Sequence, residues 1–215
     1  TGKAPFKALV THGFVNDAKG RKMSKSLGNV VDPADIWKKD GAEILRLWAS
    51  YEDFGNDLSC GPDSFLRVTE SYRKFRNTIR FMLGNLGDFD SSKDQVAYQD
   101  MTSLDRLALS KLNDLVIKTT DAYEKYEFFK VYHLLNNFFT VDLSAGYLDM
   151  LKDRLYTWRK DSQERRSSQT VIFELLSHLV RSTCRAIKPT VFSCLNFRSR
   201  IQSGKTRASK PSSKN

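Results

Sequence analysis

The sequence has no apolar run approaching the roughly 20 residues that a membrane-crossing helix requires, which excludes a helical membrane protein. It has no initiator Met and no hydrophobic targeting core behind Thr1-Gly2-Lys3-Ala4-Pro5. No signal peptide is therefore read, and the chain is expected to start inside a longer protein. Cysteine is scarce. Cys60, Cys184 and Cys194 form no CxxC pair, which argues against a disulfide scaffold and against a self-contained zinc site, and points to reducing, intracellular surroundings. Acid is missing from one end: nothing after Glu174 is acidic, while nine positive charges follow it, from Arg181 to Lys214. With a net charge of +10, the body is therefore nearly neutral and the C-terminal stretch carries the basicity. From about Asn196 that stretch is rich in Ser, Lys and Arg and is read as a disordered tail.

What the sequence does contain is mostly helix. Phe6 to His12 reads as a short strand, with Gly13-Phe14-Val15 its continuation or a turn out of it. A basic loop, Asn16 to Gly28, follows. Asp32-Pro33 supplies a cap and a first-position proline for a helix expected to reach about Tyr51. Gly61-Pro62-Asp63-Ser64 opens a second. Its residues Phe65, Val68, Tyr72, Phe75, Ile79, Met82 and Leu86 recur at alternating spacings of 3 and 4, a continuous apolar seam. A third helix starts at Ser103 and buries Leu104, Ala108, Leu112, Leu115, Thr119 and Ala122. A fourth, about Glu127 to Leu155, presents Val131, Leu134, Phe138, Val141, Ala145 and Leu148. The fifth follows Asp161-Ser162 with Ile172, Leu175, Leu179 and Thr183. The expected fold class is mainly α: a short α/β piece, then four long helices with short connections in an antiparallel bundle.

Two sets of residues carry candidate chemistry. In Lys19-Gly20-Arg21-Lys22-Met23-Ser24-Lys25, four of seven positions are cationic. Glycines allow close backbone approach, lysines bring compact charges to phosphate oxygens, and hydroxyls add donors. By composition alone this is either a polyphosphate clamp or an exposed basic turn. Beside the second helix's seam run Arg73, Arg76 and Arg80, with Lys74. Such a line can follow a phosphodiester backbone, or snorkel over the bundle edge and pair with carboxylates. Trp37, Trp48 and Trp158 read as core or rim residues rather than base-stacking platforms. His12, His133 and His178 have no metal-ligand spacing, and no metal site is expected.

The order of the loop residues decides between its readings. Lys22-Met23-Ser24-Lys25-Ser26 is identified with the KMSKS signature of class I aminoacyl-tRNA synthetases. Leu27-Gly28-Asn29-Val30-Val31-Asp32-Pro33 resembles that family's continuation, and His12-Gly13-Phe14-Val15 the strand before it. Four helical strings resemble the anticodon-binding bundle of its isoleucine branch: Tyr72 to Leu86; Leu104-Asp105-Arg106; Tyr126-Glu127-Phe128 with Val131-Tyr132; and Lys152 to Tyr156 with Arg165 to Thr170. The resemblance covers roughly residues 8 to 181. Beyond Arg181 the family's apolar, acidic and Trp-containing pattern is expected to lapse, as a truncation or a frame change there could explain.

The resemblance implies a division into residues 1–60, the end of a class I catalytic domain with its signature loop; 61–190, a truncated anticodon-binding bundle; and 191–215, the basic tail. It implies ATP as a substrate, with Mg2+ carried on it, bound by His12, Gly13, Lys22, Met23, Ser24, Lys25 and Ser26. Of these, Lys25 is the principal catalytic phosphate contact and Lys22 its helper; Met23 packs the loop down, and Ser24 and Ser26 hold its shape. It implies tRNA(Ile) as a partner through Arg73, Arg76 and Arg80, isoleucine as the other substrate of the complete enzyme, a cytoplasmic monomer, and no membrane or zinc. The HIGH motif, the amino-acid pocket and the editing insertion find no match in the sequence, so this chain alone is expected to be inactive. A sister synthetase for valine, leucine or methionine, or a stand-alone helical tRNA-binding module, are the alternative readings.

Overall fold

The computed structural model describes residues 2–184; the expected tail lies outside them. Residues 2–14 form neither strand nor helix, so the strand expected from Phe6 to His12 is corrected. The strand is shorter and later: β1, Val15–Asp17, pairs in parallel with β2, Leu58–Cys60, with Val15 opposite Leu58 and Asp17 opposite Cys60. β2 has only three residues, too few for a period-two pattern to register in the sequence.

Between the two strands, α1 (Pro33–Asp40) and α2 (Ala42–Tyr51) replace the single helix expected over this stretch. Asp32 caps α1 by accepting the amide hydrogen of Ala34 at 2.8 Å, and Pro33 opens it as read. The break is at Gly41, whose φ of 94° an L side chain rarely adopts. This turn lets α2 bury Ile44, Leu47 and Trp48. Trp48 stacks at a tilt on Phe65, with ring centroids 5.3 Å apart.

α3 (Pro62–Gly84) carries the expected seam into the core: Phe65, Val68, Phe75, Ile79, Met82 and Leu86 are buried. α4 (Ser103–Glu124) begins at a Thr102 cap and buries Ala108, Leu112, Leu115, Thr119 and Ala122. The α3–α4 connection, residues 85–102, is not short. It is pinned along its length by the Val96 amide donating to Thr170 Oγ1 at 3.1 Å and by ion pairs of Asp88 with Arg165 and Asp94 with Arg166.

The expected fourth helix departs most from its pattern. α5 (Phe128–Asn137) continues into a π-helical stretch, Phe138–Tyr147, then α6 (Leu148–Met150), and breaks at Leu151 before α7 (Lys152–Thr157). A π-helix bonds i to i+5 and widens the turn beyond the about 3.6 residues of an α-helix. Phe138 and Leu148 are buried as expected, but between them the buried row runs through Phe139, Leu143 and Tyr147, four residues apart. Val141 and Ala145, which a uniform α period assigns to the core, face outward; Val141 is 57% exposed. Phe139 meets Phe75 at 4.6 Å between ring centroids. α8 (Gln163–Cys184) closes the core with Ile172, Leu175 and Leu179, all fully buried. It packs on α3, α4 and α7, while α2 packs on α3 and α5.

Candidate functional site

The basic loop grows out of β1. Asp17 ends the strand and starts a tight turn: its carbonyl accepts from the Gly20 amide at 2.9 Å, and its amide donates to the Arg21 carbonyl at 2.8 Å. Lys22 then pairs back on Asn16 as an antiparallel bridge. A single 3-10 turn, Lys25–Leu27, follows, closed by Gly28 at φ 64° donating to the Lys25 carbonyl. The Asp17 carboxylate is the hub. Its Oδ1 accepts from the amides of Lys19 and Arg21, and its Oδ2 from Arg21 Nε and Asn29 Nδ2, all within 3.0 Å. The Asn29 hydrogen bond, with those from Arg21 and Lys19, holds the carboxyl well below the usual carboxylate range.

Asn29 reaches further. Its Oδ1 accepts from the Ser24 amide at 2.9 Å, and its Nδ2 also donates to the Lys22 carbonyl at 3.2 Å. Neither Asn29 nor Asp17 stands out in a reading of cations and signature letters. The turn pattern Asp17-Ala18-Lys19-Gly20 is the signal that could have found Asp17.

This framework sorts Arg21 from Lys22 and Lys25. Arg21 is taken by Asp17, Nη2 to Oδ2 at 2.8 Å. Lys22 and Lys25 are exposed and form no ion pair among the described residues. Met23 is half-buried and packs on the core, and Ser24 and Ser26 share a hydroxyl hydrogen bond of 2.7 Å. His12 is exposed, its Nδ1 2.8 Å from the Gly13 carbonyl. No hydrogen bond among the described residues joins His12 or Gly13 to residues 22–26; Gly13 sits instead against Phe54, Asn56 and Asp57. The Gly13 amide donates to the Phe54 carbonyl at 2.8 Å, and a Cβ on Gly13 would lie 2.2 Å from the Asn56 carbonyl oxygen. Gly13→Ala should therefore force the β1 and β2 segments apart. It should cost about 1–3 kcal/mol, measured as a lower urea midpoint together with faster amide exchange at Leu58, which donates to the Phe14 carbonyl.

Arg73, Arg76 and Arg80 form an exposed line on α3 and make no ion pair among the described residues. Pairing with Asp or Glu, one of the two roles open to them from spacing, is thus not what they do here. Trp48 is buried, Trp37 is 52% exposed and Trp158 42% exposed. Among the described residues no three His, Cys, Asp or Glu side chains gather as a metal site, and no helix is long and apolar enough to cross a membrane.

The strings around Asp105, Arg154 and Arg165 form a buried polar network. Asp105, fully buried, accepts from Tyr147 Oη at 2.6 Å, Thr102 Oγ1 at 2.9 Å, Arg154 Nη1 at 3.2 Å, and both Ser167 and Ser168. Burial and the Asp105 charge raise the Tyr147 phenol well above its usual pKa, so it remains a donor. Next to it, Arg165 holds Asp88 with both nitrogens, at 2.7 and 3.2 Å, and Gln169 adds a donor at 2.8 Å. Burial pushes the Asp88 carboxyl up, but the Arg165 and Gln169 donors outweigh it and leave it lowered.

Residues 1–61 match the family of class I tRNA synthetases (I, L, M and V), and residues 105–184 the anticodon-binding domain of tRNA ligase. Over 84% of its length the chain is 52% identical to the isoleucine–tRNA ligase of Moorella thermoacetica and 57% identical to that of Desulforamulus reducens. The chain belongs to the class I tRNA synthetases. It spans about a fifth of the length of these synthetase relatives, 19% of each. The match to the Petrotoga mobilis isoleucine–tRNA ligase, 46% identical, covers 94% of this chain and 22% of that protein. Synthetase similarity therefore continues past Arg181, where the sequence pattern alone predicts a lapse. The fold of this synthetase chain also matches two solved structures. One is Agrobacterium radiobacter LeuRS in a ternary complex with tRNA and LeuAMS: TM-score 0.67, 22% identity, covering 91% of this chain and 22% of that one. The other is Mycobacterium tuberculosis methionyl-tRNA synthetase with methionyl-adenylate: TM-score 0.70, 15% identity, covering 94% and 42%.

Proposed function

We propose that this chain supplies the ATP-facing loop and the anticodon-side helices of an isoleucine–tRNA ligase. The observation that carries the loop's role is the pair Lys22 and Lys25: two ammonium groups without counter-charge among the described residues, on a backbone braced by Asp17 and Asn29. The isoleucine specificity rests on the relatives' names, all isoleucine–tRNA ligases. In the activation step the isoleucine carboxylate attacks the α-phosphorus of ATP and pyrophosphate departs. Negative charge builds on the phosphorus and the leaving group, and preplaced cations stabilise that charge more than they stabilise bound ATP. Lys25 is the principal contact and Lys22 its helper; Met23, Ser24 and Ser26 shape the loop, and His12 and Gly13 complete the ATP site. Mg2+ accompanies the triphosphate. The loop's one carboxylate, Asp17, has both oxygens occupied by donors and offers the ion no ligand.

The reading divides the chain near residue 60 between a catalytic-domain segment and an antiparallel bundle, whose expected end near residue 190 lies outside the described residues, acting as a cytoplasmic monomer. Arg73, Arg76 and Arg80 follow the phosphates of tRNA(Ile). Replacing all three with Ala should weaken tRNA binding and lower the slope of log affinity against log salt by about 3, one per lost phosphate contact. An unchanged slope removes these residues from the interface.

The reading as a whole is tested by a chimaera. Residues 1–184 replace the corresponding segment of the Desulforamulus reducens ligase, and isoleucine-dependent ATP–pyrophosphate exchange is measured. Isoleucine-dependent exchange is expected. A folded chimaera without exchange, but with tRNA affinity intact, overturns it in favour of a binding module.

A further inference from the structure

Resting on that reading of the loop, we propose that Asn29 is a positioning residue for adenylate formation, fixing through Asp17 the backbone that presents Lys22 and Lys25. The two lysines have nothing to hold them: their side chains are exposed and without ion pairs among the described residues, so their reach is set by the backbone beneath. That backbone is clamped by one amide side chain. Asn29 accepts from Ser24 on one side of Met23 and donates to the Lys22 carbonyl on the other. Its remaining donation runs to Asp17, which β1 ties to β2. A mechanical link thus runs from the sheet through Asp17 and Asn29 to the residue before Lys25.

Only an amide fits. The position needs one acceptor and two donors on a short stem, and a carboxylate cannot donate. An Asp there would set two carboxylates about 2.9 Å apart. Arg21 reinforces the same hub, so one cation of the loop works as a brace while Lys22 and Lys25 remain available. Electrostatic stabilisation of a transition state depends on charges already in place, and the clamp keeps these in place at an otherwise mobile type of position.

The test has two arms. In the present chain, Asn29→Ala, which removes three side-chain hydrogen bonds, should raise Ser24 amide exchange and tryptic cleavage after Lys22 and Lys25 by about tenfold or more, with an unchanged urea midpoint. In the chimaera, Asn29→Ala should lower kcat for isoleucine-dependent exchange by about 10- to 100-fold with the KM for isoleucine unchanged. Asn29→Asp should be worse than Asn29→Ala. The exchanged pair Asp17→Asn with Asn29→Asp should recover part of the loss, because the amide then carried at position 17 can again donate across to position 29. Unchanged exchange and cleavage overturn the clamp. A loosened loop with unaltered kcat overturns its catalytic role. If Lys25→Ala is equally silent in the chimaera, the reading of the loop itself has failed, and the two failures are told apart.

Discussion

Lys25→Ala in the chimaeric ligase is expected to slow adenylate formation by on the order of 10²–10³-fold, the range for removing one preorganised contact to a developing oxyanion, while isoleucine binding changes little. Lys25 starts the 3-10 turn that Gly28 closes, is exposed, and is not neutralised by any described carboxylate. Its charge therefore costs nothing to redirect toward a triphosphate, and its absence leaves the departing pyrophosphate with Lys22 alone. Because the contact strengthens as charge accumulates, the loss belongs to the rate of the step rather than to substrate affinity. Lys25→Arg should recover a fraction of the rate, since charge returns but the compact ammonium does not. Rapid-quench measurement of adenylate in a single turnover reads the step directly. An activation rate unchanged by Lys25→Ala sinks the assignment.

Asp105→Ala is expected to destabilise this chain by about 3–5 kcal/mol, the cost of removing one partner from a buried charge pair, read as a fall in urea midpoint at constant m-value. Asp105 has no exposure and collects five side-chain donors. Truncation strands Arg154, whose side chain is only 17% exposed, together with the Tyr147 phenol. Asp105→Asn keeps the shape and one carbonyl acceptor but adds donors facing donors, so it should be milder than Ala without approaching the native value. By contrast Lys125→Ala, which breaks an exposed pair with Asp121, should stay within about 0.5 kcal/mol. If the two variants cost the same, the network is not what holds α4 to α7 and α8.

The helices were legible because their apolar residues recur at a period that only one local structure satisfies. The seam from Phe65 to Leu86 is the clearest case, and the Asp32-Pro33 start is readable from cap chemistry. The departures share one cause. Gly41 splits a helix by a backbone angle, and the stretch from Phe138 shifts the buried row by a change of pitch, neither of which leaves a mark in apolar spacing. At the site, the signature letters pointed to Lys22 and Lys25, but their brace depends on Asn29, a neutral residue whose partner is twelve positions away. The strings around Asp105, Arg154 and Arg165 resembled a particular branch of a family, and the structure gives them an interior role: they hold helices together. Their similarity to isoleucine relatives is thus similarity of scaffold, whereas the exposed arginines of α3 are free to meet a ligand.

The wide-pitched stretch from Phe138 to Tyr147 has a consequence for chain length. Phe139, Leu143 and Tyr147 line up because this segment uses a residue more per turn than its neighbours do, and Tyr147 reaches Asp105 only in that register. Deleting one amino acid here would restore a commonplace spiral and swing everything after it by about a quarter turn, carrying the phenol away from its carboxylate and Leu151 out of the interior. A ten-residue span with no active group in it is therefore as intolerant of gaps as a catalytic motif. Tags, hinges or permutation points belong elsewhere on the molecule.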